Sequence, residues 1–171
     1  MKRTGLRPPL IARYVSRTRE LEVKSTLDIV WRNRSGGGGR TERRYLDLAI
    51  DGVPLSSLSG ADFISPLGWV TVEEQNATID RWLRQRSPEL AGGRTALCVC
   101  PECAALGCGA VTAVLEGGPG VIVWRDFGIQ NNYEDAVHRE GFETIGPFTF
   151  DGSLYRLLLE AVRSELRGSG G

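Results

Sequence analysis

The chain has 171 residues, of which 41% are hydrophobic and 25% are charged. These fractions are typical of a globular protein of about one domain and argue against a wholly disordered chain. No apolar run approaches the roughly 20 residues of a membrane helix, and no segment resembles a secretion signal, so we expect no membrane contact and a cytoplasmic location.

The formal net charge of zero conceals an uneven distribution of charge along the chain. Residues 1–44 contain twelve Lys or Arg and four acidic side chains, whereas the other 127 residues contain nine basic and seventeen acidic ones. A basic segment can bind nucleic acid or fold back onto an acidic remainder, and the spread of these charges through apparent strands favours the second interpretation. Pro8-Pro9 and clustered positive charge predict a weakly ordered extension over residues 1–19, followed by one domain over residues 20–171.

Period-two alternation predicts strands in the first third of the chain. Apolar residues occupy odd positions between Leu21 and Trp31, which indicates a half-buried strand, or two in series, over residues 20–32. Residues 46–50 alternate in the same way. The glycine-rich residues 35–39 predict a hairpin loop before this second strand, and Asp51-Gly52 predicts a tight turn after it.

Two amphipathic helices are predicted from their N-terminal caps. Thr71 and Glu74 fit a capping box and Ser87-Pro88 opposes continuation, so the first helix is expected over residues 71–87. Its apolar side consists of Val72, Ile79, Trp82 and Leu83. Asp151 can cap the second helix, over residues 151–167. Its apolar residues recur at helical spacing: Leu154, Leu158, Ala161, Val162 and Leu166.

Short strands are predicted between the two helices, over residues 94–100, 109–116 and 121–127, with an edge strand at 148–150. Residues 128–147 are expected to form a loop with a short helix near 133–139. Because the strands bunch before and between the helices instead of alternating with them, the sequence predicts an α+β fold. We expect a mostly antiparallel sheet of five to seven short strands packed with the two helices.

The cysteines form the most concentrated chemical signal in the sequence. All four lie within eleven residues, at Cys98, Cys100, Cys103 and Cys108. The Cys100-x-x-Cys103 spacing is typical of a metal-binding turn, and alternation in a strand would place Cys98 and Cys100 on one face. Four thiolates could complete a tetrahedral Zn²⁺ site, which would be structural because no coordination position is left for water.

Alternatives to this four-cysteine zinc site stay open at the level of sequence. Cys98 can instead be a buried core thiol, in which case the fourth ligand would be His138, an acid or water. A disulfide within the cluster and four unpaired thiols are also compatible with the spacing. A dithiol oxidoreductase using Cys100 and Cys103 is the redox alternative, although the flanking residues predict a strand and a glycine turn instead of the usual helix N-terminus.

A second group of residues, after the cysteines, carries side chains that commonly bind ligands. Its members are Trp124, Arg125, Asp126, Asn131, Tyr133 and His138. No serine or cysteine motif accompanies His138, the only histidine, so no catalytic residue is assigned. The simplest alternative for this group is a core tryptophan at a strand end followed by a hydrogen-bonded loop.

Two blocks of the sequence resemble small actinobacterial proteins that have no assigned activity. The first runs from Cys100-Pro101-Glu102-Cys103 to Cys108-Gly109 and is followed by Trp124-Arg125-Asp126-Phe127; the second is the hairpin at residues 46–55. The resemblance covers residues 45–165 in layout, and only the cysteine-glycine block is specific. It implies a bacterial, cytoplasmic origin and supplies no catalytic residue.

The sequence therefore favours a non-enzymatic binding or regulatory module with a structural, zinc-type cysteine site. Its expected partner is a protein, with nucleic acid as a second candidate through residues 1–44. The rival class is a small enzyme, which would be either the dithiol oxidoreductase or a metal-assisted hydrolase with an open metal position near His138 or Asp126.

Overall fold

The computed structural model describes residues 23–169, so the predicted basic extension over residues 1–19 lies outside the described residues. The described chain forms two antiparallel sheets and three helices, which confirms the α+β class. One sheet has the order β1 (Leu27–Arg34), β2 (Arg43–Ile50), β3 (Val53–Pro54). The other has the order β4 (Arg94–Val99), β5 (Ala110–Gly118), β6 (Val121–Gln130), β7 (Phe148–Asp151). The helices are α1 (Leu55–Leu58), α2 (Val72–Trp82) and α3 (Gly152–Gly168).

β1 follows the predicted alternation, whereas β2 does not, because every residue from Tyr45 to Ile50 is buried. In β1 the odd positions from Leu27 to Trp31 are partly buried and the even positions from Asp28 to Arg32 are exposed. The strand begins at Leu27, later than predicted, and residues 20–22 of the predicted strand lie outside the described residues. The glycine loop joins β1 to β2, and Asp51-Gly52 joins β2 to β3 with positive φ at both residues, as a two-residue hairpin turn requires.

The four-stranded sheet contains the predicted strands with shifted ends. β7 lies at an edge, as expected, and β6 continues to Gln130. The short helix predicted near residues 133–139 does not form. This segment instead runs back along β6, and Ile129 and His138 exchange two backbone hydrogen bonds of 2.8 Å.

Both long helices begin at their predicted caps. Thr71 and Glu74 form the reciprocal hydrogen bonds of a capping box, and the Asp151 carboxylate accepts from two backbone N–H groups of α3. α2 ends at Trp82 instead of residue 87, because Arg84 adopts a left-handed conformation (φ 60°). That conformation cannot continue a right-handed helix.

The buried faces of the helices differ in part from the prediction. Val72 is 47% exposed at the start of α2, whereas Ile79 and Trp82 are fully buried. In α3 the buried residues are Tyr155, Leu159 and Val162, and the predicted Leu154 and Ala161 are exposed. Both patterns have helical spacing, and the face that docks is the one carrying the aromatic Tyr155.

The main hydrophobic core takes side chains from both sheets and from α2 and α3. Polar groups of its aromatic residues are satisfied internally: the Trp124 indole N–H donates to the Tyr155 hydroxyl (3.2 Å), which donates to the Trp82 carbonyl (2.9 Å). Trp82 in turn donates its indole N–H to the Ala96 carbonyl (3.0 Å). These bonds fix α2 and α3 to the four-stranded sheet.

Arginines of the first hairpin pair with acidic residues of their own chain. Arg34 is almost completely buried and contacts Asp62 (2.6 Å) and Glu102 (2.8 Å). Arg32 lies 3.6 Å from the buried Asp47, and Arg44 lies over the Trp31 ring. This is the arrangement expected if the basic segment folds back onto the acidic remainder.

Within residues 23–169, no helix is long and apolar enough to cross a membrane.

Candidate metal centre

Three of the four cysteines converge in the connection between β4 and β5, residues 100–109, which we call the Cys loop. The Sγ atoms of Cys100, Cys103 and Cys108 all lie within 4.8 Å of one another, and those of Cys103 and Cys108 are 3.4 Å apart. A tetrahedral ion with metal–sulfur bonds near 2.3 Å requires sulfur–sulfur separations of about 3.8 Å. The three thiols are therefore placed so that they could hold one metal ion.

Backbone hydrogen bonds fold the Cys loop into this shape. The Ala104 N–H donates to the Cys100 carbonyl (2.9 Å), which closes the turn between the first two cysteines. Ala104 adopts a left-handed conformation (φ 57°), which redirects the chain so that the Ala105 N–H points at the Cys103 sulfur (3.4 Å). A short 3₁₀ turn over Leu106–Cys108 then returns the third cysteine to the other two.

The thiols of the Cys loop influence one another electrostatically. The N–H of Ala105 and the neighbouring Cys108 thiol lower the pKa of Cys103, because both donate hydrogen bonds to its thiolate. The proximity of Cys103 and Cys100 raises the pKa of Cys108 to about 11. Since a metal ion binds the thiolate form, metal binding must release protons from this group.

Cys98 is not part of this group. It is fully buried and belongs to the main core, where desolvation and the nearby Asp47 carboxylate raise the pKa of its thiol. β4 ends at Val99, so Cys100 lies outside the strand. The alternation that would have placed its side chain on the same face as that of Cys98 therefore does not apply. The structure thus places Cys98 as a core thiol, the alternative already open from the sequence.

No fourth His, Cys, Asp or Glu side chain joins the three thiols within residues 23–169. Glu102, which lies between two of the cysteines, is directed elsewhere: its carboxylate accepts from the Thr41 hydroxyl (2.5 Å) and the Thr41 N–H (3.1 Å) and contacts Arg34. Arg43 donates to the Pro101 carbonyl (2.8 Å). The turn between Cys100 and Cys103 is therefore fixed to the β1–β2 hairpin.

The residues of the second predicted group have different surroundings in the structure. Trp124 is completely buried in the core, and Arg125 forms an ion pair with Glu116 on the surface. The Asn131 side-chain oxygen accepts from the backbone N–H of Tyr133 (2.9 Å), which stabilises a local turn. His138 is largely exposed, 3.9 Å from Glu134.

Tyr133 lies next to the Cys loop, although it is 82% exposed. Its hydroxyl would be only 2.6 Å from a Cβ atom placed at Gly107, so a larger residue there would displace the Tyr133 side chain. The sequence indicated Tyr133 but gave no sign that it lies beside the Cys loop.

Asp126 is held by two arginines, neither of which the sequence identified. Arg94 is 2% exposed; it donates to the Asp126 carboxylate (2.7 Å) and to the Thr112 hydroxyl (3.0 Å). Arg139 donates to both Asp126 carboxylate oxygens (2.6 and 2.9 Å). With both oxygens engaged, this carboxylate serves to attach residues 131–139 to the sheet.

The arginine contacts of Asp126 predict a specific dependence of stability on pH. Hydrogen bonds from Arg139 and the charge of Arg94 lower the pKa of Asp126 from 3.8 to about 2. Because the folded pKa lies below the unfolded one, the ionised carboxylate stabilises the fold above pH 3.8, and this contribution disappears as the pH falls to about 2. Urea midpoints measured from pH 5 to pH 2 should therefore fall less steeply for Asp126→Asn than for the wild type. Equal slopes would contradict the assignment.

A cleft of about 390 Å³ lies between α2 and the side of the four-stranded sheet nearest the Cys loop. Ala104 and Leu106 of the Cys loop form part of its apolar lining, and Arg81 and Glu89, 3.4 Å apart, form part of its polar lining. Its shape therefore depends on the conformation of the Cys loop.

Comparison of the chain with protein-family models, with curated proteins and with solved structures gives no match. The resemblance to small actinobacterial proteins stays a prediction, and the geometry of the Cys loop is the basis for assigning a function.

Proposed function

We propose that the protein is a non-enzymatic binding or regulatory module whose Cys loop holds a zinc-type ion. The single observation that carries this proposal is the convergence of three thiol sulfurs within 4.8 Å of one another. Thiolate ligands in a near-tetrahedral arrangement suit Zn²⁺ among the common divalent ions.

The contacts of Glu102 indicate what such an ion would do for the fold. It would fix the positions of Cys100 and Cys103, and Glu102 between them contacts Thr41 and Arg34 of the first sheet. The ion would thus stabilise the Cys loop and the attached β1–β2 hairpin together. The exposed Tyr133 beside Gly107 then offers a surface that we propose for a protein partner.

A dithiol oxidoreductase is the second candidate, with a different cysteine pair from the one that the sequence suggested. The sulfurs of Cys103 and Cys108 are 3.4 Å apart, and the pKa of Cys103 is lowered. Against this candidate, no helix begins at any of these cysteines within the part of the chain that the structure describes.

Metal content distinguishes the two functions. Native mass spectrometry and elemental analysis of protein purified without added metal should give one zinc per chain. Removal of the zinc with a chelator should raise hydrogen exchange in residues 100–109 and, through Glu102, in residues 41–43, while exchange in α3 changes little. A metal-free protein with titratable Cys103 and Cys108 thiols would contradict the proposal and favour the redox candidate.

A further inference from the structure

Within residues 23–169, the proposed metal site is one ligand short. The sequence contains four cysteines and one histidine, so residues outside 23–169 can supply neither a thiolate nor an imidazole. Of the two candidates left, Cys98 is fully buried in the core and His138 does not lie within the thiol group. Structural zinc sites normally have four protein ligands, whereas an open position takes an external ligand.

The open position is accessible from solvent. Cys103 and Cys108 are exposed and Cys100 is half-buried, so the ion would lie at the surface of the loop. Glu102, the nearest acid in sequence, is engaged by Thr41 and Arg34. Glu102 therefore does not supply the fourth ligand.

The surroundings favour a negatively charged sulfur ligand. Three thiolates already form a soft ligand set that selects ions with high affinity for sulfur. The Arg43 guanidinium lies beside the loop, bonded to the carbonyls of Pro101 (2.8 Å) and Glu102 (3.3 Å), and its charge would partly offset that of an additional thiolate.

We infer that the fourth ligand of the ion is a thiolate from outside the chain. In the binding step the external thiol loses its proton to solvent, and its sulfur replaces a water ligand. No electrons are transferred. This inference rests on the proposed metal-binding function and assigns the chemistry of its partner.

The test uses Co²⁺ as a coloured substitute for zinc in the full-length protein. Sulfur-to-cobalt charge-transfer absorbance per bound Co²⁺ should rise by about one third when 2-mercaptoethanol is added, as three sulfur ligands become four. Ethylene glycol, which replaces the thiol by a hydroxyl, should produce no such rise. The variant Cys98→Ala should behave like the wild type, because its sulfur is not a ligand.

Several results would overturn the inference while leaving the metal site intact. If the absorbance already corresponds to four sulfur ligands before thiol is added, and if it falls in Cys98→Ala, then Cys98 is the fourth ligand. A spectrum altered by His138→Ala would identify the imidazole. If neither variant has an effect and the thiol produces no rise, the fourth ligand is oxygen and the inference is wrong.

Absence of Co²⁺ binding would instead contradict the proposed function itself. If the Co²⁺ test shows that a thiol binds, the source of the natural thiol ligand remains to be identified. Native mass spectrometry of protein prepared without added thiol distinguishes the two sources. A metal-dependent dimer that dissociates on adding 2-mercaptoethanol would identify a bridging cysteine, which binds the ion of its own copy and that of a second copy. A monomer that gains the mass of one thiol would identify a small-molecule ligand.

Discussion

Replacing Cys103 by serine is expected to weaken Zn²⁺ binding by more than about 100-fold. The loss of a partner that only orients a metal ligand already costs 10–100-fold in typical sites, and Cys103 would be a ligand itself. Its sulfur lies 3.4 Å from that of Cys108 and within 4.8 Å of that of Cys100, so serine leaves only two thiolates in place. Competition with a colourimetric zinc chelator measures the change in affinity.

Cys98→Ala is the matched control for this prediction. Cys98 lies only two residues from Cys100 but is fully buried in the core. Alanine at this position should leave zinc affinity unchanged and lower the free energy of unfolding by about 1–2 kcal/mol through a small cavity. If Cys98→Ala weakened zinc binding as much as Cys103→Ser, the assignment of the ligands would be wrong.

Replacing Arg94 by alanine should destabilise the protein by about 1–3 kcal/mol, the typical cost of leaving buried hydrogen-bond partners unsatisfied. Arg94 is 2% exposed, and its guanidinium donates to the Thr112 hydroxyl, the Thr112 carbonyl and the Asp126 carboxylate. Its loss removes the donor to the two buried Thr112 oxygens and leaves the Asp126 carboxylate with Arg139 alone. Urea unfolding followed by tryptophan fluorescence measures the effect.

Arg125→Ala provides the comparison, because Arg125 also forms an ion pair but does so on the surface. The Arg125 and Glu116 side chains are 45% and 50% exposed. Exposed pairs contribute little, so the urea midpoint should stay near that of the wild type. Similar losses in both variants would show that the buried network has no special role.

Local signals in the sequence predicted the elements of this fold well. The Thr71–Glu74 capping box, the Asp151 cap and the Asp51-Gly52 turn depend on residues close together in the chain, and all three formed as expected. The incorrect predictions concern which helix residues are buried, because burial depends on tertiary packing. The exposure of Leu154 and the burial of Tyr155 were decided by which face of α3 meets Trp124 and Trp82.

The candidate site was predictable in composition but not in geometry. Spacing alone identified Cys100, Cys103 and Cys108, because they lie in one short connection. The position of Cys98 depended on where β4 ends, which the sequence indicated only to within a residue or two. The contacts of Glu102 with Thr41 and of Arg94 with Asp126 join segments far apart in sequence, and no local pattern announces them.

The three thiols that could hold a metal ion lie within nine consecutive residues joining two adjacent antiparallel strands. Bringing them together therefore closes only a short loop, and the entropy lost on closing a loop is smallest when it is short. A newly synthesised chain could capture its ion before either sheet has assembled. The bound ion would then hold the ends of β4 and β5 together, in register, as a starting point for folding.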